Sequence, residues 1–329
     1  MMERRAFLGT IAGGFVAVPL AARAQPAGKV WRIGYLDQGS AARDQVFLDA
    51  FRQGLRDLGW IERRNVTIEV RFAQGKTDQL PALAAELVQR RVDLIATWTT
   101  PAALAAKRAT GTIPIVIGFV ADPVGSGIVA SLSHPGGNIT GWTHLGVELR
   151  GKYLELLKEA VPEATRFGVL WNPTNQVHKS SLRVIEAAAQ RLKVELRLAG
   201  VQDPDELEST FSALARERVQ TLVVFPDGMF LAHIPLINAL AARSRLPTLY
   251  GVRDYVMAGG LMSYGANLAE MHRQFGASLA DKILRGASPA DLPVAQPTKL
   301  ELLINLKTAR ILGRTIPQSL LVRADQLIE

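Results

Sequence analysis

The sequence RIGYL at residues 32–36 returns in altered form as RFGVL at residues 166–170, and this repeat decides the fold. Each copy reads as a buried strand followed by a polar loop and a helical pattern. After the first copy, Phe47, Phe51 and Leu55 recur at the spacing of one helix face. A strand, a helix and another strand form a βαβ unit, so the repeat predicts two parallel sheets of one design.

Four further segments occur twice in the same order, with altered loop lengths. The pairs are 66–92 with 194–219, 94–97 with 222–225, 113–118 with 246–251, and 122–141 with 254–265. Each pair alone is weak evidence for a duplication, because strand and turn patterns of this kind are common in α/β proteins. Together they predict an α/β protein of two similar Rossmann-like lobes, each a parallel sheet flanked by helices. In such sheets a ligand lies beyond the carboxyl ends of the strands, so two facing lobes form one cleft.

The glycine-rich stretch GFVADPVGSGIVASLSHPGGNITGW (118–142) connects the predicted lobes. We predict that it comprises a strand end, a loop at 121–124, a short helix at 126–132 and a strand at 138–142 that leaves the first lobe. The chain would return near 263–267 into a helix at 269–285 that docks on the first lobe, and cross a third time near 293–298. Three linking strands form a hinge that allows closure around a ligand. The predicted N-terminal lobe comprises 30–142 plus 266–293, and the predicted C-terminal lobe comprises 143–265 plus 297–329.

The first 24 residues read as an export signal. Arg4 and Arg5 precede a Gly- and Ala-rich apolar run, and Ala22-Arg23-Ala24 offers the small-x-small pattern of a cleavage site. A transmembrane anchor is the alternative, but the apolar run is short and is broken by glycines and a proline. We therefore predict a periplasmic protein whose signal is cleaved near Ala24, exported by either the twin-arginine or the Sec route.

Composition excludes several other classes. The chain of 329 residues has 48% hydrophobic and 21% charged residues, a net charge of +8 and no cysteine. Its basic residues are scattered singly, so nucleic-acid binding is not predicted. The five histidines are far apart, and no metal-binding, nucleophile-elbow or phosphate-loop motif is present. We therefore predict no catalytic residue, no metal and no cofactor.

Several motifs carry a family resemblance. RIGYL, ATWTTPAALAAK (96–107), GVLWNPTN (168–175), LMSYGANL (261–268) and, most specifically, DPVGSGIVASLSHPGGNITG (122–141) and INLKTARILGRTIP (304–317) follow one another as in the ABC transporter substrate-binding protein family. The chain resembles the branch associated with tryptophan and related solutes. The resemblance covers essentially the whole mature chain. It implies a type I periplasmic-binding fold that delivers a small solute to an ABC permease and ATPase. We also predict that the protein is a monomer.

One loop departs from that branch. The aromatic-amino-acid members usually carry a Gln and a His in the first loop, whereas Asp37-Gln38-Gly39-Ser40-Ala41 is followed by no histidine. The resemblance therefore supports the class more strongly than it supports tryptophan as the solute. Two other roles stay open: an exported ligand sensor that feeds a chemoreceptor or sensor kinase, and, less favoured, a periplasmic enzyme.

Aromatic residues form only 6% of the chain, yet many stand at predicted strand ends. Stacking on a planar, aromatic solute is the functional interpretation, and capping of the sheets is the structural one. The aromatic residues that we predict to bind ligand are Tyr35, Trp98, Phe119, Tyr250 and Tyr264.

Polar residues at the same ends form the second predicted group. Thr100, with Thr99 before it and Pro101 after it, is predicted to cap a helix whose free backbone N–H groups would suit a carboxylate. Ser40, Asn172 and Thr174 would start helices at neighbouring positions. Asp122 and Asp227 could accept a hydrogen bond from a ligand amine or hydroxyl, although Asp before Pro or Gly also forms turns.

Overall fold

The structure is a computed structural model that describes residues 29–144 and 146–329. The predicted export signal lies outside the described residues. The strands are β1 (Trp31–Asp37), β2 (Val66–Phe72), β3 (Leu94–Trp98), β4 (Ile115–Val120), β5 (Ile139–Thr143), β6 (Arg166–Trp171), β7 (Glu195–Gly200), β8 (Thr221–Val224), β9 (Thr248–Tyr250), β10 (Met262–Gly265), β11 (Glu301–Asn305) and β12 (Gln326–Ile328). The helices are α1 (Ala41–Asp57), α2 (Leu80–Gln89), α3 (Thr100–Ala109), α4 (Arg150–Ala160), α5 (Gln176–Leu192), α6 (Leu207–Arg216), α7 (Gly228–Ala232), α8 (Ile234–Arg243), α9 (Asp254–Met257), α10 (Leu268–Met271), α11 (Ala277–Leu284), α12 (Leu306–Ile311) and α13 (Gln318–Leu321).

The two sheets repeat one topology. The first has the strand order β2-β1-β3-β4-β5, and all its neighbouring strands are parallel. The second has the equivalent order β7-β6-β8-β9-β10, extended by β11 and β12, and β11 runs antiparallel to β10. The predicted α/β class with two similar parallel sheets is therefore confirmed.

The duplication extends to local backbone geometry. A 3₁₀ turn precedes α2 at Thr77–Gln79, and another precedes α6 at Pro204–Glu206. After those helices, Arg91 and Arg218 both adopt the left-handed conformation, with φ of +51° and +55°. A left-handed residue with a side chain is uncommon, so its recurrence at equivalent positions is a detailed signature of the repeat.

Both sheets lie inside the molecule. Every residue of β3, β4, β8 and β9 is buried. Burial on both faces is typical of parallel strands between two helix layers, and it explains why these segments are continuous apolar runs. None of the helices in the described part of the chain combines the length and the apolar character that a membrane span requires.

The glycine-rich stretch folds partly as predicted. β4 and β5 lie side by side in parallel, but the predicted helix at 126–132 is wrong, because this segment forms turns. The Pro123 carbonyl accepts hydrogen bonds from the N–H groups of both Ile128 and Val129, and Gly127 has a φ of +68°. A left-handed residue interrupts the helical backbone at its second position.

The chain passes between the two sheets three times. After β5 it enters α4, which packs on β8 and β9. After β10 it returns through α10, a π-helical turn (His272–Gly276) and α11, which pack on α1. It then runs beside β5, where the Thr143 N–H donates to the Ala295 carbonyl at 2.9 Å, before β11 rejoins the second sheet. The residue ranges assigned above to the two lobes stay a prediction.

Candidate functional site

Two adjoining cavities lie where the carboxyl ends of the two sheets face each other. The first, here called the aromatic cavity, has walls that include Phe47, Trp98, Leu231 and His272. The second, here called the polar cavity, has walls that include Thr100, His144, His178 and Asp227. Thr99, Phe119 and Gly228 border both cavities. Because Gly228 comes from the second half of the chain and the other two from the first, the cavities lie between the halves.

Trp98 is the centre of the aromatic wall. Its ring centroid lies 3.9 Å from that of His272 and 5.6 Å from that of Tyr35. Phe47 stacks on His272 with centroids 4.9 Å apart. Tyr35 lies behind Trp98 and is fully buried, and this burial, together with nearby Asp37 and Asp44, raises the pKa of its hydroxyl. Trp98 therefore faces the cavity, while Tyr35 supports it from the core.

The loop after β1 is held by the carboxylates of Asp37, at the end of β1, and Asp44, in the first turn of α1. Asp37 accepts a hydrogen bond from the Gly39 N–H at 2.8 Å, and Asp44 accepts one from the Ser40 N–H at 2.8 Å. Both aspartates border the aromatic cavity. Ser40 precedes α1, as predicted, but its side chain makes no capping hydrogen bond to the helix.

Gln38 from this loop lies close to Gly228 in the other half of the chain. The Gln38 side chain is buried, donates to the Thr77 hydroxyl at 2.8 Å and accepts from the Thr99 hydroxyl at 3.0 Å. A Cβ atom placed on Gly228 would lie 2.5 Å from the Gln38 Oε1 atom. A larger residue at position 228 would therefore require Gln38 to move and to give up its hydrogen bonds with Thr77 and Thr99. The prediction from sequence omitted Gln38, although its position after a strand was the available signal.

The first-half side of the polar cavity contains two strained residues. Thr99 and Phe119 have φ values of +77° and +50°. Left-handed residues with side chains cluster at functional sites, where the surrounding structure enforces them. The predicted N-cap Thr100 is wrong: α3 begins at Thr100, and the capping position is Thr99. The Thr99 hydroxyl donates to Gln38 and makes no capping hydrogen bond to the first amide groups of α3.

The second-half side is organised around Asp227. Its carboxylate accepts from the side-chain amides of Asn172 at 3.2 Å and Asn175 at 3.0 Å and from the Met229 N–H at 2.9 Å. The predicted helix start at Asn172 or Thr174 is wrong, because α5 begins at Gln176 with Asn175 as its cap. Asn172 instead closes a turn by accepting hydrogen bonds from the Thr174 N–H and hydroxyl. Asp227 thus fixes the two loops that form this wall.

Two buried histidines complete the polar wall, and the sequence prediction missed both. His144 stacks on Phe119 with centroids 4.4 Å apart, and burial followed by the nearby Arg150 charge lowers its pKa to about 3. His178 accepts from the Asn172 N–H at 2.9 Å, and its other ring nitrogen lies 3.1 Å from the Pro226 carbonyl oxygen. Burial lowers the His178 pKa to about 4, although Asp227 opposes the shift. Both imidazoles are therefore neutral at pH 7.

Of the twelve predicted residues, five border these cavities: Trp98, Thr99, Thr100, Phe119 and Asp227. Tyr250 is buried in the core and stacks on Tyr255, with centroids 4.2 Å apart, and Tyr264 packs against the core of the second sheet. Asp122 accepts from the Gly125 N–H at 2.7 Å in a turn. Tyr35, Ser40, Asn172 and Thr174 likewise border neither cavity. Ligand binding by any of the twelve stays a prediction.

A family model described as ABC transporter substrate binding protein matches residues 41–328. A Tyrosine-binding protein from Clostridioides difficile (strain R20291) is 30% identical over 263 residues, which cover 80% of this chain and 75% of the relative.

Two solved structures are each 26% identical to this chain. One is an ABC domain in complex with L-Trp from Streptococcus pneumonia, with a TM-score of 0.84 and coverage of 91% of this chain and 99% of the other. The second is the ligand-free, open structure of a substrate-binding protein with adhesive properties from Clostridium difficile, with the same coverage and a TM-score of 0.65. At equal identity, the arrangement described here is thus more similar to the L-Trp complex than to the open form.

Proposed function

Because the chain belongs to the ABC transporter substrate-binding protein family, we propose that it is the solute-binding component of an ABC importer and delivers its solute to a permease and ATPase. The family consists of solute-binding proteins and not of enzymes. We further propose that the solute is a small aromatic molecule that carries a carboxylate, such as an aromatic amino acid, and that it binds outside the cytoplasm.

The observation that carries this proposal is the pair of adjoining cavities between the two sheets. Their walls come from both halves of the chain, so an enclosed solute contacts both at once. A solute that binds the closed arrangement better than the open one shifts the population towards closure. This coupling is what a protein needs in order to present a loaded, closed form to a partner.

The chemistry of the cavities supports the proposed solute class. The aromatic cavity offers the rings of Phe47, Trp98 and His272, against which a planar ring can pack. The adjoining polar cavity offers the uncapped amino end of α3. A molecule with a ring at one end and an anionic group at the other matches both. The relatives named for tyrosine and solved with L-Trp have ligands of this kind.

A thermal-shift screen of the purified protein tests the proposal. At about 100 times its dissociation constant, a bound solute should add roughly 2.7 kcal/mol to the free energy of unfolding, which raises the melting temperature by about 5 °C. We expect this rise with an aromatic amino acid and none with glycine at the same concentration. The screen covers aromatic amino acids, aromatic acids and sugars. If none of them raises the melting temperature, solute binding is contradicted.

Enclosure between the halves is tested by Gly228→Leu. The new side chain would collide with Gln38, which two hydrogen bonds hold in place, and would prevent the halves from meeting. We expect at least a tenfold loss of affinity for the solute found in the screen, together with loss of the solute-induced decrease in radius of gyration. Small-angle X-ray scattering and calorimetry measure the two quantities.

The matched control is Gly111→Leu, since a Cβ atom at Gly111 meets nothing within 4 Å. This variant should bind and close like the wild type. If Gly228→Leu also binds with unchanged affinity, the solute does not lie between the halves.

Delivery to a permease is tested in cells. Deletion of the gene should abolish high-affinity uptake of the labelled solute, and complementation should restore it. If uptake is unchanged while a chemotactic or transcriptional response to the solute is lost, the sensor role replaces the importer role.

A further inference from the structure

Arg150 is a buried cation that has no carboxylate partner among the residues described by the structure. It is the first residue of α4 and is fully buried. Among the described residues, none of its three guanidinium nitrogens has a hydrogen-bond partner. Burial lowers the pKa of Arg150, but a guanidinium remains charged at any pH at which the protein folds. A buried charge without a partner is strongly unfavourable, so native structures seldom contain one without a reason.

The groups around Arg150 do not neutralise it. The guanidinium carbon lies 4.4 Å from the Phe225 ring centroid and 5.2 Å from that of Tyr153. Tyr153 and the exposed Glu148 oppose the decrease in pKa, yet no carboxylate of the described chain forms an ion pair with Arg150. Asp227, the buried carboxylate in the wall of the polar cavity, already accepts three hydrogen bonds. The Tyr153 hydroxyl favours the charged form of Arg150 but is a neutral group, and the Phe225 ring offers only its π face, so neither residue neutralises the cation.

The position of Arg150 points to a ligand. The Phe225 ring that its guanidinium contacts lies edge-on to His178, with ring centroids 5.4 Å apart, and His178 borders the polar cavity. The charge of Arg150 also helps to lower the pKa values of His144 and His178. The uncapped amino end of α3 lies at the same cavity from the other half of the chain. A helix amino end and a guanidinium both favour an anion, and the planar guanidinium suits a carboxylate, which it can bind through two parallel hydrogen bonds.

We infer that Arg150 binds the carboxylate of the solute, with the solute ring in the aromatic cavity, and that this ion pair makes a carboxylate obligatory for tight binding. The inference rests on the proposed function and adds to it the group that is recognised and the residue that recognises it. Binding would supply the missing partner of a buried charge at the moment of closure. A neutral analogue of the same shape would leave Arg150 unpaired, so the halves would close around it only weakly.

The first experiment compares matched solutes on the wild-type protein. Isothermal calorimetry is run with L-tyrosine and L-tryptophan and with their amides, which retain the ring and the amino group but lack the anionic charge. We expect the amides to bind at least about 100-fold more weakly, because truncation of one partner of a buried charge pair has effects of this size. Equal affinity for acid and amide overturns the inference.

The second experiment uses Arg150→Met and Arg150→Lys. Arg150→Met should weaken binding of the acid by about 100-fold but hardly change binding of the amide, so the ratio of the two affinities falls to near one. The melting temperature of the ligand-free Arg150→Met protein should not decrease, because an unpaired buried charge has been removed. Arg150→Lys keeps the charge without the planar fork and should give an intermediate ratio.

The matched control is Arg243→Met, at an exposed position at the end of α8, which should retain the wild-type ratio. An unchanged ratio in both Arg150 variants shows that Arg150 is structural and overturns the inference. If the wild type binds a neutral solute such as a sugar but neither acid, the inference and the proposed aromatic carboxylate solute both fail, whereas the proposed role as the solute-binding component of an importer stands. If no solute binds at all, the proposed function fails, and the inference that rests on it fails too.

Discussion

Lowering the pH from 7 to 5 is expected to reduce the free energy of unfolding by about 4 kcal/mol through His144 and His178 alone. Their pKa values in the folded protein are about 3 and about 4, whereas an unfolded histidine titrates near 6.5. Between those values the unfolded chain binds a proton that the folded chain rejects. The stability contributed by each histidine is therefore fully present above about pH 6.5 and is lost as the pH falls towards 4. Within this window, each histidine lowers the free energy of unfolding by about 1.4 kcal/mol for every pH unit that the pH falls.

The groups around the two rings explain why the folded protein rejects these protons. Burial is the first cause for both, and Arg150 adds repulsion towards each imidazolium. Opposing influences come from the Val120 backbone at His144 and from Asp227 and the Pro226 and Asn172 backbone at His178. These contacts raise the pKa of each histidine but do not restore its ordinary value. Burial and the nearby Arg150 charge therefore set the direction of the shift, which is downward.

Urea unfolding of ligand-free wild type and His144→Phe at pH 7, 6 and 5 measures this effect. Phenylalanine keeps the stack on Phe119 but cannot titrate, so the variant should lose about 2 kcal/mol less than the wild type between pH 7 and pH 5. His134→Phe, at an exposed position, should follow the wild-type pH dependence. Equal losses in His144→Phe and wild type would mean that His144 is accessible to protons in the folded state.

The fold was predictable because its signals are local and repeated. RIGYL and RFGVL became β1 and β6, and the paired arginines Arg91 and Arg218 became equivalent left-handed turns. Parallel strands buried on both faces must be continuous apolar runs, so a single sequence reveals them. The helix predicted at 126–132 failed because glycine and proline backbone preferences outweigh a helical apolar spacing over so few residues.

The site was less predictable because it depends on contacts between distant segments. Trp98, Thr99, Thr100 and Phe119 were accessible to prediction, since strand ends of parallel sheets face the cleft. The sequence prediction missed His144 and His178, which border the polar cavity, and it did not predict the burial of Arg150. A lone arginine in the helical segment VELRGKY (147–153) reads as an exposed residue, and only the packing of α4 places its guanidinium against Phe225. Burial of a single polar side chain leaves no periodic pattern in the sequence.

Gly54→Ala is expected to reduce the free energy of unfolding by about 2–3 kcal/mol. Gly54 lies inside α1, where alanine by itself would favour the helix by about 1 kcal/mol. A Cβ atom at this position, however, would lie 2.2 Å from the Arg273 carbonyl oxygen and 2.7 Å from the Ala277 side chain. A backbone carbonyl cannot rotate away as a side chain can. The helix α1 must therefore separate from the returning segment, which comprises the π-helical turn His272–Gly276 and α11. The cost of overpacking therefore exceeds the gain in helix propensity, and urea unfolding at pH 7 measures the difference.

The same substitution connects packing with solute binding. The Arg273 carbonyl belongs to the π-helical turn His272–Gly276, which also supplies His272 to the aromatic cavity. Displacing this turn should move His272 away from Trp98 and Phe47, so Gly54→Ala should weaken solute binding although Gly54 does not border the cavity. Gly111→Ala, which meets nothing within 4 Å, should change neither stability nor affinity. If Gly54→Ala is as stable as the wild type, α1 and the returning segment pack less tightly than described, and the position of His272 no longer depends on that contact.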